Sequence, residues 1–337
     1  MKKRALITGI TGQDGPYLAR HLKGLGYEVW GMARRGSSIE SLGALLRDKS
    51  FRLAYGDMLE SSTLCAALQE SSPDEIYNLA AQSDVGLSFS RKEETMEVNY
   101  FGFAKLIEEA LRLNPSVRIY QASTSEMFGS TPPPHNELSP FSPVSPYGEA
   151  KHRAHEQLVK RYRAKGFYIC SGILFSHESP ERSEKFVTRK ISSSLAKIKL
   201  GLQDSFSLGN LDARRDWGFA GDFVKAMHRM LQQKIPSDYV IATGVSHSVR
   251  EFVESAAHAL DMTVSWEGSG LEEVGLDAEG NTILTINKDF YRPAEVNHPR
   301  GDTTKARQEL GWEPTVSFEE LTAMMALADY ERLSKNN

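Results

Sequence analysis

The sequence predicts an α/β protein, a doubly wound parallel sheet carrying a smaller mixed α/β lobe. Three observations predict it. Short apolar runs alternate with longer mixed stretches through the first half; a glycine-rich turn joins the first run to the first helix; and the rhythm breaks near residue 180, where loops lengthen and polar residues increase. Alternating strands and helices build parallel sheets covered on both faces. Right-handed crossovers then set the ligand crevice at the carboxyl ends of the strands.

The strand runs are A-L-I-T (5–8), Y-E-V-W-G-M (27–32), F-R-L-A-Y (51–55), E-I-Y-N-L-A (75–80), V-R-I-Y-Q-A (117–122) and Y-I-C-S-G-I-L (168–174). Between them, A-K-L-I-E-E-A-L-R-L (104–113) repeats its apolar residues at spacings of three and four, as a helix buried on one side does. Later, 274–286 reads as a hairpin turning near Glu279-Gly280-Asn281, and Y-V-I-A-T-G (239–244) as a strand returning to the main sheet. Residues 1–175 are therefore expected to form the main domain, and 176–337 mainly the substrate lobe.

Bulk composition excludes several classes. A net charge of −4, with 25% charged and 40% hydrophobic residues, gives no electrostatic case for nucleic acid or an anionic membrane. The two cysteines, Cys65 and Cys170, form no C-x-x-C, so no metal or redox motif is expected. The basic start is followed by too short an apolar run for a signal peptide, and no stretch reaches transmembrane length. A cytoplasmic protein is expected.

T-G-I-T-G-Q-D-G (8–15) follows the first strand and opens the first helix. Gly9, Gly12 and Gly15 allow a tight turn, with Thr11, Gln13 and Asp14 between them. Such a turn brings a dinucleotide pyrophosphate to a helix N-terminus, whose free N–H groups favour an anion, and marks a Rossmann-type sheet. After the second strand stand Arg34 and Arg35, then Ser37, where an acidic residue would read a free ribose hydroxyl. Two guanidiniums suit a 2′-phosphate, so NADP is preferred over NAD. Asp57 and Met58 follow the third strand, within reach of the adenine. Leu79, Ala80, Ala81 and Gln82 follow the fourth, and their small members let the backbone pass close to the cofactor.

A-S-T-S-E-M-F-G (122–129) ends the fifth strand with a hydroxyl triplet and Glu126. Ser123 and Glu126 have capping-box spacing, so a purely local role is open. Tyr147 and Lys151 in S-P-Y-G-E-A-K stand four apart, on one face of a helix that Pro146 suits at its first turn. A nearby ammonium is expected to lower the phenol's pKa toward a usable base.

This combination resembles the extended short-chain dehydrogenases/reductases, with Thr124 as the hydroxyl partner of Tyr147. The resemblance narrows to the GDP-mannose 4,6-dehydratase family through G-Q-D-G, R-R-x-S-S, S-T-S-E-M-F-G, H-E-S-P, A-R-R-D-W-G, Y-R-P-A-E-V and L-G-W-E-P, in order across nearly the whole chain. It implies this cycle. Tyr147, with Thr124 and Lys151, takes the 4-hydroxyl proton while hydride leaves C4 for NADP. The 4-ketone acidifies C5; Glu126 removes that proton; water leaves C6; hydride returns to C6 and a proton to C5. It further implies that His177 and Arg182 contact the cofactor. Ser83, Asp84, Ser125, Ser176 and Lys190 would line the sugar side, with Arg215 and Arg292 on the diphosphate. A homodimer or homotetramer is implied, with the R-R-x-S-S loop near a tetramer interface; no metal is.

Asp84 and Ser176 depart from the family pattern, where His or an apolar residue and Asn are usual. A smaller Ser176 and an accepting Asp84 suit a larger sugar, so GDP-manno-heptose is the alternative substrate. A nucleotide-sugar 4-epimerase would share Tyr147 and Lys151 but not need Glu126; a reductase would consume NADPH; a non-catalytic NADP sensor would need none of the three.

Overall fold

The computed structural model of the chain describes residues 2–291 and 299–335. Seven parallel strands form the main sheet: β1 (Arg4–Thr8), β2 (Glu28–Ala33), β3 (Phe51–Tyr55), β4 (Glu75–Asn78), β5 (Arg118–Thr124), β6 (Ile169–Leu174) and, far later in sequence, Asp238–Ile241. Their spatial order is Asp238–Ile241, β6, β5, β4, β1, β2, β3. The order reverses between β1 and β4, which opens a crevice above their carboxyl ends.

Side-chain alternation decides which helix covers which face. On β1, Leu6 packs with Leu64 and Leu68 of α2 (Ser61–Ser71) and Leu106 and Ile107 of α5 (Phe103–Leu113). Its neighbour Ile7 packs on the other face with Leu18 and Leu22 of α1 (Asp14–Gly24). On α5, Phe103, Leu106, Ile107, Ala110 and Leu111 are buried, as the spacing predicts. Each large apolar side chain so covered contributes roughly 1.5–3 kcal/mol.

The later chain gives more back to this sheet than the single strand expected around 239–244. Helices Ala220–Leu231 and Thr304–Leu310 also join the core on the α1 face, through Phe223, Met227, Met230 and Leu310, with Trp312 beside them.

A chain of buried polar groups crosses three neighbouring strands. Thr8 Oγ1 donates to Asn78 Oδ1 at 2.6 Å, and Asn78 Nδ2 donates to Gln121 Oε1 at 2.7 Å. The Ala80 N–H donates to Thr8 Oγ1 at 3.2 Å, which ties the loop after β4 to the end of β1.

The second lobe has its own mixed four-stranded sheet, ordered Ser265–Glu267, Val274–Leu276, Thr282–Ile286, Phe206–Leu208. The expected hairpin is its middle pair, closed by Asp277 accepting from the N–H groups of Glu279 and Asn281. Helices Val187–Lys199, Val249–His258 and Phe318–Ser334 pack beside it around Leu195, Phe252, Trp217 and Met325.

Candidate active site

The carboxyl ends of the main strands and the start of the second lobe enclose a cavity of about 1090 Å³. The glycine turn forms its floor. Gly9 sits at φ +67°, and a Cβ there would lie 2.8 Å from the Ala80 nitrogen, so only glycine lets the two loops meet. The Gly12 N–H closes the turn on the Gly9 carbonyl at 3.0 Å. Gly15 lies against Ile10, where a Cβ would stand 2.2 Å from the carbonyl oxygen. Gln13, just before α1, does not cap the helix with its side chain. That arrangement, a glycine cradle at an uncapped helix N-terminus, fits a dinucleotide pyrophosphate.

Thr11, Gln13, Asp14, Arg34, Ser37, Asp57, Met58, Leu79, Ala80, Ala81 and Gln82 all line the cavity. Arg35 does not join them. Its guanidinium lies 5.4 Å from the ring centroid of Tyr55, the last residue of β3, so one arginine rather than two faces the cavity. Asp57 Oδ1 accepts from the Leu59 N–H at 2.9 Å, a loop-closing bond that leaves Oδ2 to other partners.

Thr124 ends β5 and caps the short turn Ser125–Met127, its Oγ1 accepting from the Glu126 N–H at 3.2 Å. The Ser123–Glu126 capping box does not form. Ser123 Oγ instead meets Met127 Sδ at 3.2 Å, because residue 123 is still inside the strand and residue 124 is where the backbone turns. Helix α6 (Pro146–Ala154) starts as expected, with Pro146 in its first turn and Ser145 Oγ accepting from the Gly148 N–H. A Cβ on Gly148 would lie 2.6 Å from the Glu126 carbonyl oxygen. This close approach seats α6 directly against the Glu126 turn.

Tyr147 is 8% exposed and Lys151 3%. Lys151 Nζ donates to the Ala122 carbonyl at 2.8 Å and stands 5.9 Å from the Tyr147 ring centroid. The phenol is not lowered as the spacing suggested. Burial pushes its pKa up to about 12, against the hydrogen bond to Thr124 and the Arg182 cation, with Glu126 and Asp14 adding to the rise. Burial likewise pulls the Lys151 ammonium down to about 8. Desolvation outweighs the helix-face pairing in both residues.

Ser83, Asp84, Ser125, Ser176, Lys190 and Arg215 line the same cavity, as do His177 and Arg182. Arg292 lies outside the described residues. Asp84 has a structural task of its own: it caps helix α3 (Val85–Ser90), its Oδ1 accepting from the Leu87 N–H at 2.9 Å. Lys190 Nζ stands 3.7 Å from the Phe290 ring centroid, and burial lowers its pKa. Lys185, Asn210 and Phe290 line the cavity without having been singled out from sequence. Asn210 stands three residues before the A-R-R-D-W-G block; Phe290 carried no signal. Among the described residues no group of acidic, histidine or cysteine side chains is arranged to hold a metal.

The chain matches the model of the family described as GDP-mannose 4,6 dehydratase over residues 6–325. It is 48% identical to the GDP-mannose 4,6 dehydratase of Drosophila melanogaster over 99% of this chain and 88% of that one. Among solved structures, it superposes on Thermus thermophilus UDP-glucose 4-epimerase in complex with NAD at TM-score 0.81 and 22% identity, over 98% of this chain and 99% of that one. It superposes on RMD from Pseudomonas aeruginosa complexed with NADPH at TM-score 0.76 and 21% identity, over 98% of this chain and 100% of that one. At these identities the likeness to the two structures is one of fold.

Proposed function

The chain belongs to the GDP-mannose 4,6-dehydratase family, and from that premise we propose that it converts GDP-mannose to GDP-4-keto-6-deoxymannose with NADP as its cofactor. The observation that carries the reading is the meeting of a carboxyl group, Glu126, with Thr124, Tyr147 and Lys151 in one cavity. Hydride transfer alone needs a hydroxyl, a phenol and a cation; removing water needs a further base beside C5. A nicotinamide cofactor supplies the hydride acceptor for C4 and the hydride donor for C6.

The chain's residues do the rest. Tyr147 takes the 4-hydroxyl proton, with Thr124 bonded to the phenol and Lys151 as the nearby cation. Burial raises the phenol's pKa, and the hydrogen bond to Thr124 and the Arg182 cation work against that rise. Glu126 removes the C5 proton and returns it to the departing C6 hydroxyl as water, and the proton held by Tyr147 goes to C5 when hydride reaches C6. Arg215 balances the diphosphate, and Lys190 lies on the sugar side. Arg34 and Ser37 at the end of β2 favour the 2′-phosphate of NADP; one guanidinium is enough for a charge-assisted pair. The same reading carries a cytoplasmic homodimer or homotetramer, which sedimentation velocity checks. No helix among the described residues is long and apolar enough to cross a membrane.

The deciding experiment incubates the protein with GDP-mannose, and separately with GDP-manno-heptose, under a trace of NADP⁺, and weighs the products. Loss of one water from GDP-mannose without net NADPH is expected. Epimerisation without water loss, or stoichiometric NADPH consumption, overturns the dehydratase. Asp84 spends Oδ1 on the helix cap and keeps Oδ2, so the heptose alternative rests on Ser176 and that one oxygen; water loss from the heptose only would establish it. For the cofactor, NADP is expected to bind more tightly than NAD, and Arg34→Ala to remove most of that preference.

A further inference from the structure

Asp14 occupies an awkward position. It is the first residue of α1, at the helix N-terminus that the glycine turn offers to a pyrophosphate. A carboxylate there competes with a bound anion for the same N–H groups and repels it. The structure answers that repulsion from the other lobe. His177 Nε2 lies 2.8 Å from Asp14 Oδ2, and its Nδ1 lies 2.8 Å from the Phe175 carbonyl. The imidazole stacks on Phe223, centroids 4.6 Å apart. The two side chains are 13% and 17% exposed, so the pair is only weakly screened.

Neighbouring bonds repeat the connection. Gln13 Nε2 donates to the His177 carbonyl at 2.8 Å, and Ser179 Oγ donates to Gln13 Oε1 at 3.1 Å. The Tyr17 ring meets Phe219 edge-on at 5.5 Å. From His177 the chain runs directly along the wall of the cavity, with Ser176 before it and Arg182 after it. Behind that wall, Arg189 donates to the carbonyls of Pro180 and Arg182, each at 2.7 Å, and is itself held by Asp329. The segment after His177 is thereby tied to the second lobe.

We propose that Asp14 and His177 are a positioning pair that couples the two binding sites. The glycine turn accepts the dinucleotide well only when His177 is docked on Asp14, and the GDP-sugar binds more tightly once the dinucleotide is in place. Charge supports the geometry. Burial works against the His177 cation, but the Asp14 carboxylate overcomes it and raises the pKa; Arg182, the other charged group facing the ring, opposes this. Burial works against the Asp14 carboxylate too, and His177 outweighs it, so that carboxyl is held below its ordinary value. Coupling of this kind is reciprocal by linkage. The inference rests on the GDP-sugar reading above, and its test uses binding rather than turnover so that the two can fail separately.

Calorimetric titration of the full chain measures NADP⁺ and GDP each alone and each in the presence of the other. In the unaltered protein each ligand is expected to tighten the other by the same factor, about five-fold or more. Asp14→Asn keeps the size and an acceptor but removes the charge. It is expected to bring that factor to about one, whereas loss of a merely structural contact would weaken one ligand and leave the factor intact. Ser179→Ala removes the link to Gln13, along with the hydroxyl's bonds to the Glu181 N–H and to Tyr17, while leaving Asp14 and His177 in place, and is expected to reduce the factor in the same direction. A factor near one in the unaltered protein, or losses in both affinities with the factor intact in both variants, overturns the coupling. GDP that fails to bind at all brings down the substrate class, and the coupling with it.

Discussion

The Lys151 ammonium is buried in a protein that has no carboxylate bonded to it, only the Ala122 carbonyl. Its pKa falls from 10.5 to about 8 for that reason. The sign follows from linkage: the folded chain holds fewer protons than the unfolded one between those values, so stability rises with pH across that window. The contribution is complete above 10.5 and lost as pH falls through about 8. At neutral pH the charge therefore costs the fold something on the order of 3 kcal/mol. Lys151→Met is expected to lose turnover and yet melt higher than the parent at pH 7; a lower Tm contradicts the burial argument. Glu126→Gln is expected to lower dehydration about 10²–10⁴-fold and to abolish deuterium uptake at C5 in heavy water; retained uptake would remove Glu126 from the role of base. At this scale the sequence was legible where chemistry is written in spacing, as in Tyr147-x-x-x-Lys151. It was misleading where burial decides, since no spacing reports that the phenol would rise rather than fall.

Helix α6 shows what an element adds to its residues. Its N-terminus is fixed by Ser145, and Ser145→Ala is expected to cost about 1 kcal/mol, read as a shift in the denaturation midpoint. Gly148 has a different task. Its missing side chain lets the helix touch the Glu126 backbone, so Gly148→Ala must push α6 and the turn apart. The expected stability loss is about 1–3 kcal/mol, with a larger proportional loss of kcat, because Tyr147 moves relative to Glu126. Equal effects of Gly148→Ala on stability and kcat would argue against a positioning role. The start of α6 was readable from Ser145-Pro146, a local signal. The closeness of Gly148 to Glu126 was not, because it joins residues from separate elements. The same distinction explains Arg35: the dipeptide was visible, but which guanidinium would turn back over Tyr55 depends on where β3 ends.

For the whole molecule, the change of texture near residue 180 was legible, but the return of Ala220–Leu231 and Thr304–Leu310 to the main sheet was not. Amphipathic helices declare that they have an apolar face without declaring which sheet receives it. The two lobes are thus interleaved, and the C-terminal helix reaches the cavity wall through a buried ion pair, Arg189 to Asp329. Asp329→Ala leaves that arginine buried without its carboxylate, at a cost of about 3–5 kcal/mol. It is expected to destabilise the protein and raise the KM for the sugar nucleotide together. Full retention of substrate affinity in a destabilised variant would show that the wall does not depend on this helix.

The polar chain from Thr8 through Asn78 to Gln121 has a bearing on how the sheet finds its alignment. Parallel strands covered on both faces are nearly uniform in apolar surface, so sliding one by two residues would keep most of its burial. It would not keep a hydroxyl and two amides opposite one another, and each stranded group in that dry interior carries a penalty of about 1–3 kcal/mol. These three side chains work as index marks across β1, β4 and β5. They penalise shifted sheets during folding, and in the native alignment they bring the ends of those strands level, where the glycine turn and Thr124 must meet one ligand.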